Sequence, residues 1–338
     1  MTIYRCNKCA FVSENTQVPI GAKANCERCS TPSMVFDTVY YVEKLVERYR
    51  GALREIDELK VAAAAGLPAP QSAQSTLPPA PAGLMSVAEI DIHNTPVLAT
   101  SAQHQPLKDW FAAQQIEAIF DPSLVDTSGF FDDAARLIGR DFALFGELID
   151  RIRYAYRNSH SGVNIELASL SQKETQAITA LCRQLYDHTF FSRYHYQKPE
   201  KIVRLGLQTA PAVRQFFDGG WLEWFAFIEV MDQLKRQNKS FSCARGVKVV
   251  FANEDLHELD VIVLSEGQMP VCIECKSGEF RRDIDKYLRL RKRLNLDRSR
   301  FIICATSLSD EQARGLNAMY ELSFVNLASL PEKLATLL

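Results

Sequence analysis

The amino-acid sequence predicts a multidomain protein: a short cysteine-rich module followed by a long helix, a helical middle domain, and a C-terminal α/β domain. Three observations favour this organisation. The chain has 338 residues, which is more than one small core requires. Two Cys-x-x-Cys pairs open the sequence, and an Ala- and Pro-rich stretch follows them. The last third places an apolar helix before two strand-like runs.

The composition is ordinary for a soluble protein, with 47% hydrophobic and 24% charged residues. No run of 18 apolar residues is present, so no membrane partner is expected. The first residues, MTIYRCNKCA, lack the apolar core of a secretory signal, and we therefore expect a cytoplasmic location. The net charge of −2 does not indicate nucleic-acid binding by the protein as a whole. It does not exclude such binding either, because a local basic patch can be sufficient.

The cysteine pairs have the spacing of a four-thiolate zinc site. Cys6 and Cys9 form one pair, Cys26 and Cys29 the other, and sixteen residues separate them. Residues 1–36 are therefore predicted to form a zinc ribbon, with Zn²⁺ supplying the folding free energy of so short a segment. Four thiolates fill the coordination sphere, so the zinc is expected to be structural. The module could bind nucleic acid, bind a partner protein, or cap a neighbouring element.

A single helix is predicted over 37–62, because apolar residues recur there at heptad spacing. This stripe could form a homodimer seam or pack on its own chain. Residues 63–105 are rich in Ala, Pro, Gln and Ser, which is typical of a disordered linker.

Residues 106–215 are predicted to form a helical domain. One or two amphipathic helices precede a short strand, Ser171 is a candidate helix cap, and a hairpin is expected to turn near 198–200. Helices followed by a basic, aromatic hairpin suit a winged-helix fold, and they suit a plain packing domain equally well.

Residues 216–338 carry the candidate chemistry. The stretch 221–235 is apolar nearly all round and is expected to be a buried helix, yet it contains Glu223. A buried carboxylate is costly unless it pairs with an arginine or binds a metal ion. The next two runs, 257–264 and 270–278, read as strands of a hairpin centred on Gly267.

That hairpin register places Asp260 opposite Glu274, and Glu258 opposite Lys276. Strand alternation then puts these four residues on one face. The apolar set on the other face is Leu259, Val261, Val263, Val271, Ile273 and Cys275. Two opposed carboxylates repel each other, so the register calls for a cation between them.

Carboxylate oxygens at this point would suit Mg²⁺ or Mn²⁺. Lys276 could orient, or help to deprotonate, a water molecule that attacks phosphorus. The alternative is a strand pair held by ordinary ion pairs such as Glu258–Lys276. Residues 281–300 add nine Lys or Arg against three Asp, which indicates either a solvated helix face or a nucleic-acid contact. The candidate contacts are Lys286, Arg289, Arg291, Lys292 and Arg293.

The pattern Asp260-x13-Glu274-Cys275-Lys276, after a helix that carries Glu223, resembles the PD-(D/E)xK nuclease superfamily. Within it, the segments GGWLEWF, ELDVIVL and CIECKSG resemble the nuclease domain of the cyclic-oligoadenylate-activated CRISPR ancillary nucleases, over about residues 216–330. The resemblance implies that Glu223, Asp260 and Glu274 surround the metal ion and that Lys276 is the catalytic lysine. Lys286 matches an accessory position.

One departure from that family concerns residues 1–215, which show no βαβ alternation where the family carries a Rossmann-like sensor domain. We therefore expect recruitment by nucleic acid or by a partner protein. The expected function is a divalent-metal-dependent endonuclease, with DNA favoured over RNA, in defence, a mobile element or repair. The alternative is a non-catalytic nucleic-acid-binding or regulatory adaptor that retains a nuclease fold.

Overall fold

The computed structural model describes residues 2–6, 11–14, 17–20, 22–37, 84–86, 98, 100–121, 130–251 and 255–338. The chain divides into two compact units, Met1–Leu77 and Pro78–Leu338. The predicted helix at 37–62 lies outside the described residues except for Asp37, which ends a strand. None of the described helices is long and apolar enough to cross a membrane.

The first unit contains a four-stranded antiparallel sheet in the order β2-β1-β4-β3. Its strands are β1 (Thr2–Arg5), β2 (Val12–Glu14), β3 (Lys23–Asn25) and β4 (Pro32–Asp37). The buried cluster that the described residues form is small and includes two of the thiols. Its members are Tyr4, Cys6, Ala24, Cys26 and Val35.

The second unit begins inside the predicted linker, which corrects that prediction at its C-terminal end. Met85 exchanges two backbone hydrogen bonds with Phe241, and Leu98 is buried. Helix α1 (Ser101–Ala113) starts with its first turn capped by Thr100. Backbone pairing of this kind does not depend on side-chain identity, so the Ala- and Pro-rich composition does not reveal it.

A six-stranded mixed sheet forms the centre of the second unit, in the order β13-β12-β11-β10-β9-β5. Strands β11, β12 and β13 are parallel to one another, and the other pairs are antiparallel. The strands are β5 (Glu117–Ile119), β9 (Phe241–Val250), β10 (Leu256–Ser265), β11 (Val271–Lys276), β12 (Phe301–Ala305) and β13 (Ser323–Val325).

Before the main strands, the chain folds into a helical section with its own three-stranded antiparallel sheet, β6-β8-β7. The hairpin turns between Gln197 and Ile202, as predicted, and Ser171 forms a reciprocal capping box with Glu174. The elements are α2 (Phe130–Arg140), α3 (Phe142–Arg157), β6 (Gly162–Glu166), α4 (Gln172–Asp187), β7 (Phe191–Gln197) and β8 (Ile202–Leu207).

The remaining helical elements follow β8 in the chain. They are α5 (Pro211–Gln215), a π-helical turn (Phe216–Gly220), α6 (Trp221–Gln237), α7 (Ile284–Arg293), α8 (Asp310–Met319) and α9 (Leu330–Ala335). One core packs α2, α3, α4 and α6 together with one face of the large sheet, and a second packs α1 and α7 on the other face. The predicted boundary between 106–215 and 216–338 therefore lies inside one unit with a shared core.

The β10–β11 hairpin has the predicted register, with Val261 opposite Ile273 and Val263 opposite Val271. The predicted alternation fails at one point, because Leu259 packs in the second core while Val261 packs in the first. Gly246 of β9 lies across from this point with φ +61°. The register between β9 and β10 continues unbroken across this point, so the change of face is local to the backbone around Asp260 and Gly246.

Candidate active site

Three predicted residues meet at the end of the β10–β11 hairpin. Lys276 Nζ lies 3.1 Å from Asp260 Oδ2 and 3.2 Å from Glu274 Oε2. The backbone N–H of Cys275 donates to the same Asp260 oxygen at 2.6 Å. The cation that the register calls for between the two carboxylates is therefore the lysine of the motif itself, and Glu258 is not its partner in these contacts.

Glu274 is the most deeply placed of the three, with only 4% of its side chain exposed. Its Oε1 atom is buried and accepts no hydrogen bond from any residue that the structure describes. A buried carboxylate oxygen without a donor is costly, and a cation could remove that cost. Within the hairpin, Glu274 is therefore the carboxylate best placed to bind an additional cation.

Glu223, on the first turn of α6, has the arginine partner that the sequence left open. Arg245 of β9 donates to its carboxylate at 2.9 Å, and the guanidinium stacks 3.8 Å from the Trp224 ring centre. Glu223 is half-buried, not fully buried as the apolar helix suggests. It also lines the same cleft as Asp260 and Lys276.

Burial and neighbouring charge change how these groups titrate. Burial, and then the Asp260 charge, raise the pKa of Glu223 to about 7, against the opposing effect of Arg245. The same two causes hold the pKa of Glu274 well above its ordinary range. Burial lowers the pKa of Lys276, but the Glu274 and Asp260 carboxylates together outweigh it and raise that pKa above its usual value. Lys276 is therefore an ammonium at every physiological pH.

The cleft has a volume of about 390 Å³, and its rim includes residues that the sequence analysis did not identify. Arg153 and Arg157 come from α3, and Asp218 and Gly219 from the π-helical turn. The two arginines are not predicted because the sequence places α3 in a separate domain from the β10–β11 hairpin. The one available signal is the spacing of the two arginines, four residues apart on an amphipathic helix.

The basic helix α7 divides into two groups of side chains. Arg291 is paired with Glu321, and Arg293 with Asp255 and the Phe251 ring, so both contribute to packing. Lys286, Arg289 and Lys292 are exposed instead, and the described ion pairs do not include them. Of the five predicted nucleic-acid contacts, these three present their charge to solvent.

The first unit contains the second candidate site. The ligand atoms of Cys6, Cys26 and Cys29 lie within 4.8 Å of one another, and the Sγ atoms of Cys6 and Cys29 are 3.4 Å apart. Cys9, the fourth predicted ligand, lies outside the described residues. The three thiols could hold a metal ion, and Ser30, at φ 57°, forms the tight turn behind the second pair.

Within the described part of the chain, this thiol group is the one set of three possible ligand residues that converges so closely. The carboxylates of Glu223, Asp260 and Glu274 do not converge as closely. Arg245 pairs with Glu223, and Lys276 pairs with Asp260 and Glu274.

The chain matches no known family model and no curated protein. Among solved structures it is similar to protein VC1899 from Vibrio cholerae, with a TM-score of 0.48, 16% identity, and coverage of 79% of this chain and 63% of that one. It is also similar to Can2 from Sulfobacillus thermosulfidooxidans, solved in complex with cyclic tetra-adenylate, with a TM-score of 0.47, 14% identity, and coverage of 68% and 58%. The chain thus spans less than two thirds of either structure. These likenesses assign no activity, so the site is interpreted from its own geometry.

Proposed function

We propose that the second unit is a divalent-metal-dependent nuclease that hydrolyses phosphodiester bonds, with DNA as the favoured substrate. The observation that carries this proposal is the contact of Lys276 with both Asp260 and Glu274 at 3.1 and 3.2 Å, at the edge of an open cleft. Ordinary structural ion pairs rarely need two carboxylates and a lysine in one half-buried cluster, because desolvation opposes it. Functional sites use such arrangements to set protonation states.

The residues present fit a Mg²⁺ or Mn²⁺ ion. Both metals prefer oxygen ligands, and Glu274 Oε1 is a buried oxygen without a donor among the described residues. Asp260 and Glu223 would complete the set of carboxylates that hold the ion. When bound, the ion would supply electrostatic stabilisation of the charge that develops on the phosphate oxygens and would lower the pKa of a water molecule.

The side chains contribute positioning and charge. Lys276 remains an ammonium, so its role is to orient water and stabilise negative charge on the phosphate, not to accept a proton. The raised pKa of Glu223, about 7, means that its carboxylate becomes ionised, and so available to a metal ion, near neutral pH. The exposed cations of α7 (Lys286, Arg289 and Lys292) would contact the nucleic-acid backbone.

For the first unit we propose a structural zinc ion bound by Cys6, Cys9, Cys26 and Cys29. The Sγ atoms of Cys6, Cys26 and Cys29 lie within 4.8 Å of one another, and those of Cys6 and Cys29 are 3.4 Å apart. Sulfur atoms this close together suit a tetrahedral zinc site. This module would recruit nucleic acid or a partner protein, and the heptad stripe of 37–62 would support a homodimer. A defence, mobile-element or repair role is compatible with such recruitment.

The proposal is tested by incubating the full chain with single- and double-stranded DNA and RNA in Mg²⁺, Mn²⁺ or EDTA. We expect cleavage with either metal, none with EDTA, and faster cleavage of DNA than of RNA. Lys276→Ala should abolish cleavage while its circular dichroism shows a retained fold; its melting temperature should fall, because two carboxylates lose the cation between them. Undiminished cleavage by Asp260→Asn protein would contradict the assignment.

The second candidate function is a non-catalytic adaptor that binds nucleic acid through the same fold. The exposed cations of α7 favour it, because they would act without any chemistry at the carboxylates. Nucleic-acid binding without cleavage under all metal conditions would select this alternative.

A further inference from the structure

Helix α3 brings two arginines to the cleft that contains Asp260 and Lys276. Arg153 donates to the Ser277 carbonyl oxygen at 3.1 Å and to its hydroxyl at 3.2 Å. Ser277 directly follows the motif lysine in the chain. This contact fixes one face of α3 beside the end of β11.

Arg157 lies four residues further along α3 and therefore projects from the same face. Its Nε and Nη2 atoms both donate to Asp218 Oδ1, at 3.0 and 2.8 Å. The two side chains are 62% and 55% exposed. An exposed pair of this kind stabilises the fold by about 1 kcal/mol at most, so another anion can replace the carboxylate.

The position of Asp218 marks a place where an anionic oxygen is held by one edge of a guanidinium. Phosphate oxygens accept the same side-on pair of donors, and arginine prefers this geometry. The cleft is lined by three acids (Glu223, Asp260 and Asp218) and three bases (Arg153, Arg157 and Lys276). Lys276 is engaged by Asp260 and Glu274, and Arg153 by Ser277 and Asp150, whereas Arg157 is held by one exposed ion pair and can exchange it for a phosphate.

We propose that Arg157 binds a non-scissile phosphate of the substrate strand, displacing Asp218, while Arg153 positions the segment that carries Lys276. This inference rests on the proposed nuclease function and adds to it a substrate-binding residue from the helical section. It also assigns Asp218 a role: its carboxylate competes with the phosphate for the same guanidinium, so it weakens substrate binding.

The test measures the affinity of the full chain for a labelled DNA oligonucleotide in EDTA, where no strand is cut, at several salt concentrations. One phosphate contact contributes about 0.7 to the slope of log Kd against log salt for a single strand and about 0.9 for a duplex. Arg157→Ala should lower the slope by that amount and weaken binding about tenfold, which corresponds to 1.4 kcal/mol. Arg157→Lys should keep the slope, because the charge remains.

The matched control is Arg151→Ala, which removes one charge from the same helix but from a side chain that pairs with Glu147 outside the cleft. It should leave affinity and slope unchanged. Asp218→Ala should tighten binding by otherwise wild-type protein and have a smaller effect in the Arg157→Ala background, because the carboxylate then has no guanidinium for which to compete with the phosphate.

Position within the strand is tested by replacing single phosphates near the cleavage point with neutral methylphosphonates. One replacement should weaken binding of wild-type protein and have no further effect on Arg157→Ala protein, because both changes remove the same contact. If metal-dependent cleavage is intact, either of two results would overturn the inference. One is an equal slope of log Kd against log salt for wild-type and Arg157→Ala protein. The other is a loss of DNA affinity in Arg151→Ala protein as large as that in Arg157→Ala protein. Absence of both binding and cleavage by wild-type protein would instead overturn the nuclease proposal itself.

Discussion

Burial and neighbouring charges set the protonation states of Lys276, Glu274 and Glu223. The contacts of Lys276 with Asp260 and Glu274 keep it charged, while burial raises the pKa of Glu274 and of Glu223. A metal ion would bind the ionised carboxylates, so protons and metal would compete for the same oxygens.

A pH dependence follows from those raised pKa values. Below pH 6 the Glu223 and Glu274 carboxylates carry protons, which would weaken metal binding. Glu223 ionises through its pKa of about 7 and Glu274 through its pKa of about 8. We therefore expect kcat/KM with Mg²⁺ to rise with pH between about 6 and 9 and then to level off. Cleavage rates measured from pH 5.5 to 10 test this, and a rate that falls as pH rises from 6 to 8 would contradict it.

The pair formed by Glu223 and Arg245 gives a second prediction at this scale. Arg245→Met leaves a half-buried carboxylate without its partner, which should lower the free energy of unfolding at pH 8 by about 2–3 kcal/mol. The loss should shrink at pH 5, where Glu223 can accept a proton. Urea unfolding at both pH values measures the difference, and the double variant Arg245→Met/Glu223→Gln should recover part of it. An identical loss at both pH values would contradict the pairing argument.

At the scale of elements, the π-helical turn before α6 sets one wall of the cleft. Gly219 has φ +144° there, a conformation that other residues rarely adopt, and a Cβ atom at this position would lie 3.2 Å from Ser277 Oγ. Gly219→Ala should therefore lower the free energy of unfolding by about 1–3 kcal/mol. It should also reduce kcat/KM, because Ser277 adjoins Lys276.

Gly315 provides the matched control, since it lies within α8 and a Cβ atom there would meet nothing within 4 Å. Gly315→Ala should raise stability by about 0.4–1 kcal/mol and leave cleavage unchanged. Thermal unfolding of both variants compares them directly. Equal changes in stability from the two substitutions would show that Gly219 has no special conformational requirement.

The elements also show what the sequence could reveal. The register of β10 and β11 followed from the centre of a hairpin at Gly267, which indeed has φ +68°. Strict alternation predicts the wrong face for Leu259, which packs in the second core; the positive φ of Gly246 on the neighbouring strand marks this irregular point and is not visible in the pattern of β10 itself. The Glu223–Arg245 and Arg153–Ser277 contacts join residues 22 and 124 positions apart, so no local pattern encodes them. Local periodicity and turn chemistry are readable, whereas long-range pairing depends on the assembled fold.

At the scale of the whole molecule, the division between Leu77 and Pro78 separates the thiol cluster from the cleft. The buried cluster among the described residues of the ribbon at 1–36 is small, so the folding of that segment should depend on zinc. Cys26→Ser should release zinc and unfold that module while the second unit keeps its melting transition. Metal content by mass spectrometry, with two-transition calorimetry, measures both effects.

The kinetic consequence of Cys26→Ser separates recruitment from catalysis. A tethered binding module raises local substrate concentration, by a factor of about a hundred or more, and does not contact the transition state. The variant should therefore retain its maximal cleavage rate and lose activity only at low substrate concentration. Loss of the maximal rate would contradict the independence of the two units. An unchanged dependence of the rate on substrate concentration would show that the ribbon does not recruit the substrate.

The central claim is that Glu274, held beside Lys276, belongs to a metal-dependent hydrolytic site. The most direct measurement is the cleavage rate of labelled DNA in Mg²⁺ by wild-type, Glu274→Gln and Glu311→Gln proteins, where Glu311 is an exposed carboxylate of α8. We expect Glu311→Gln to match wild type and Glu274→Gln to be at least about a hundredfold slower, the loss typical of removing one group that stabilises the transition state. Both variants should keep the wild-type melting temperature within a few degrees. Wild-type cleavage by Glu274→Gln, or cleavage by any of the three proteins in EDTA, would contradict the claim.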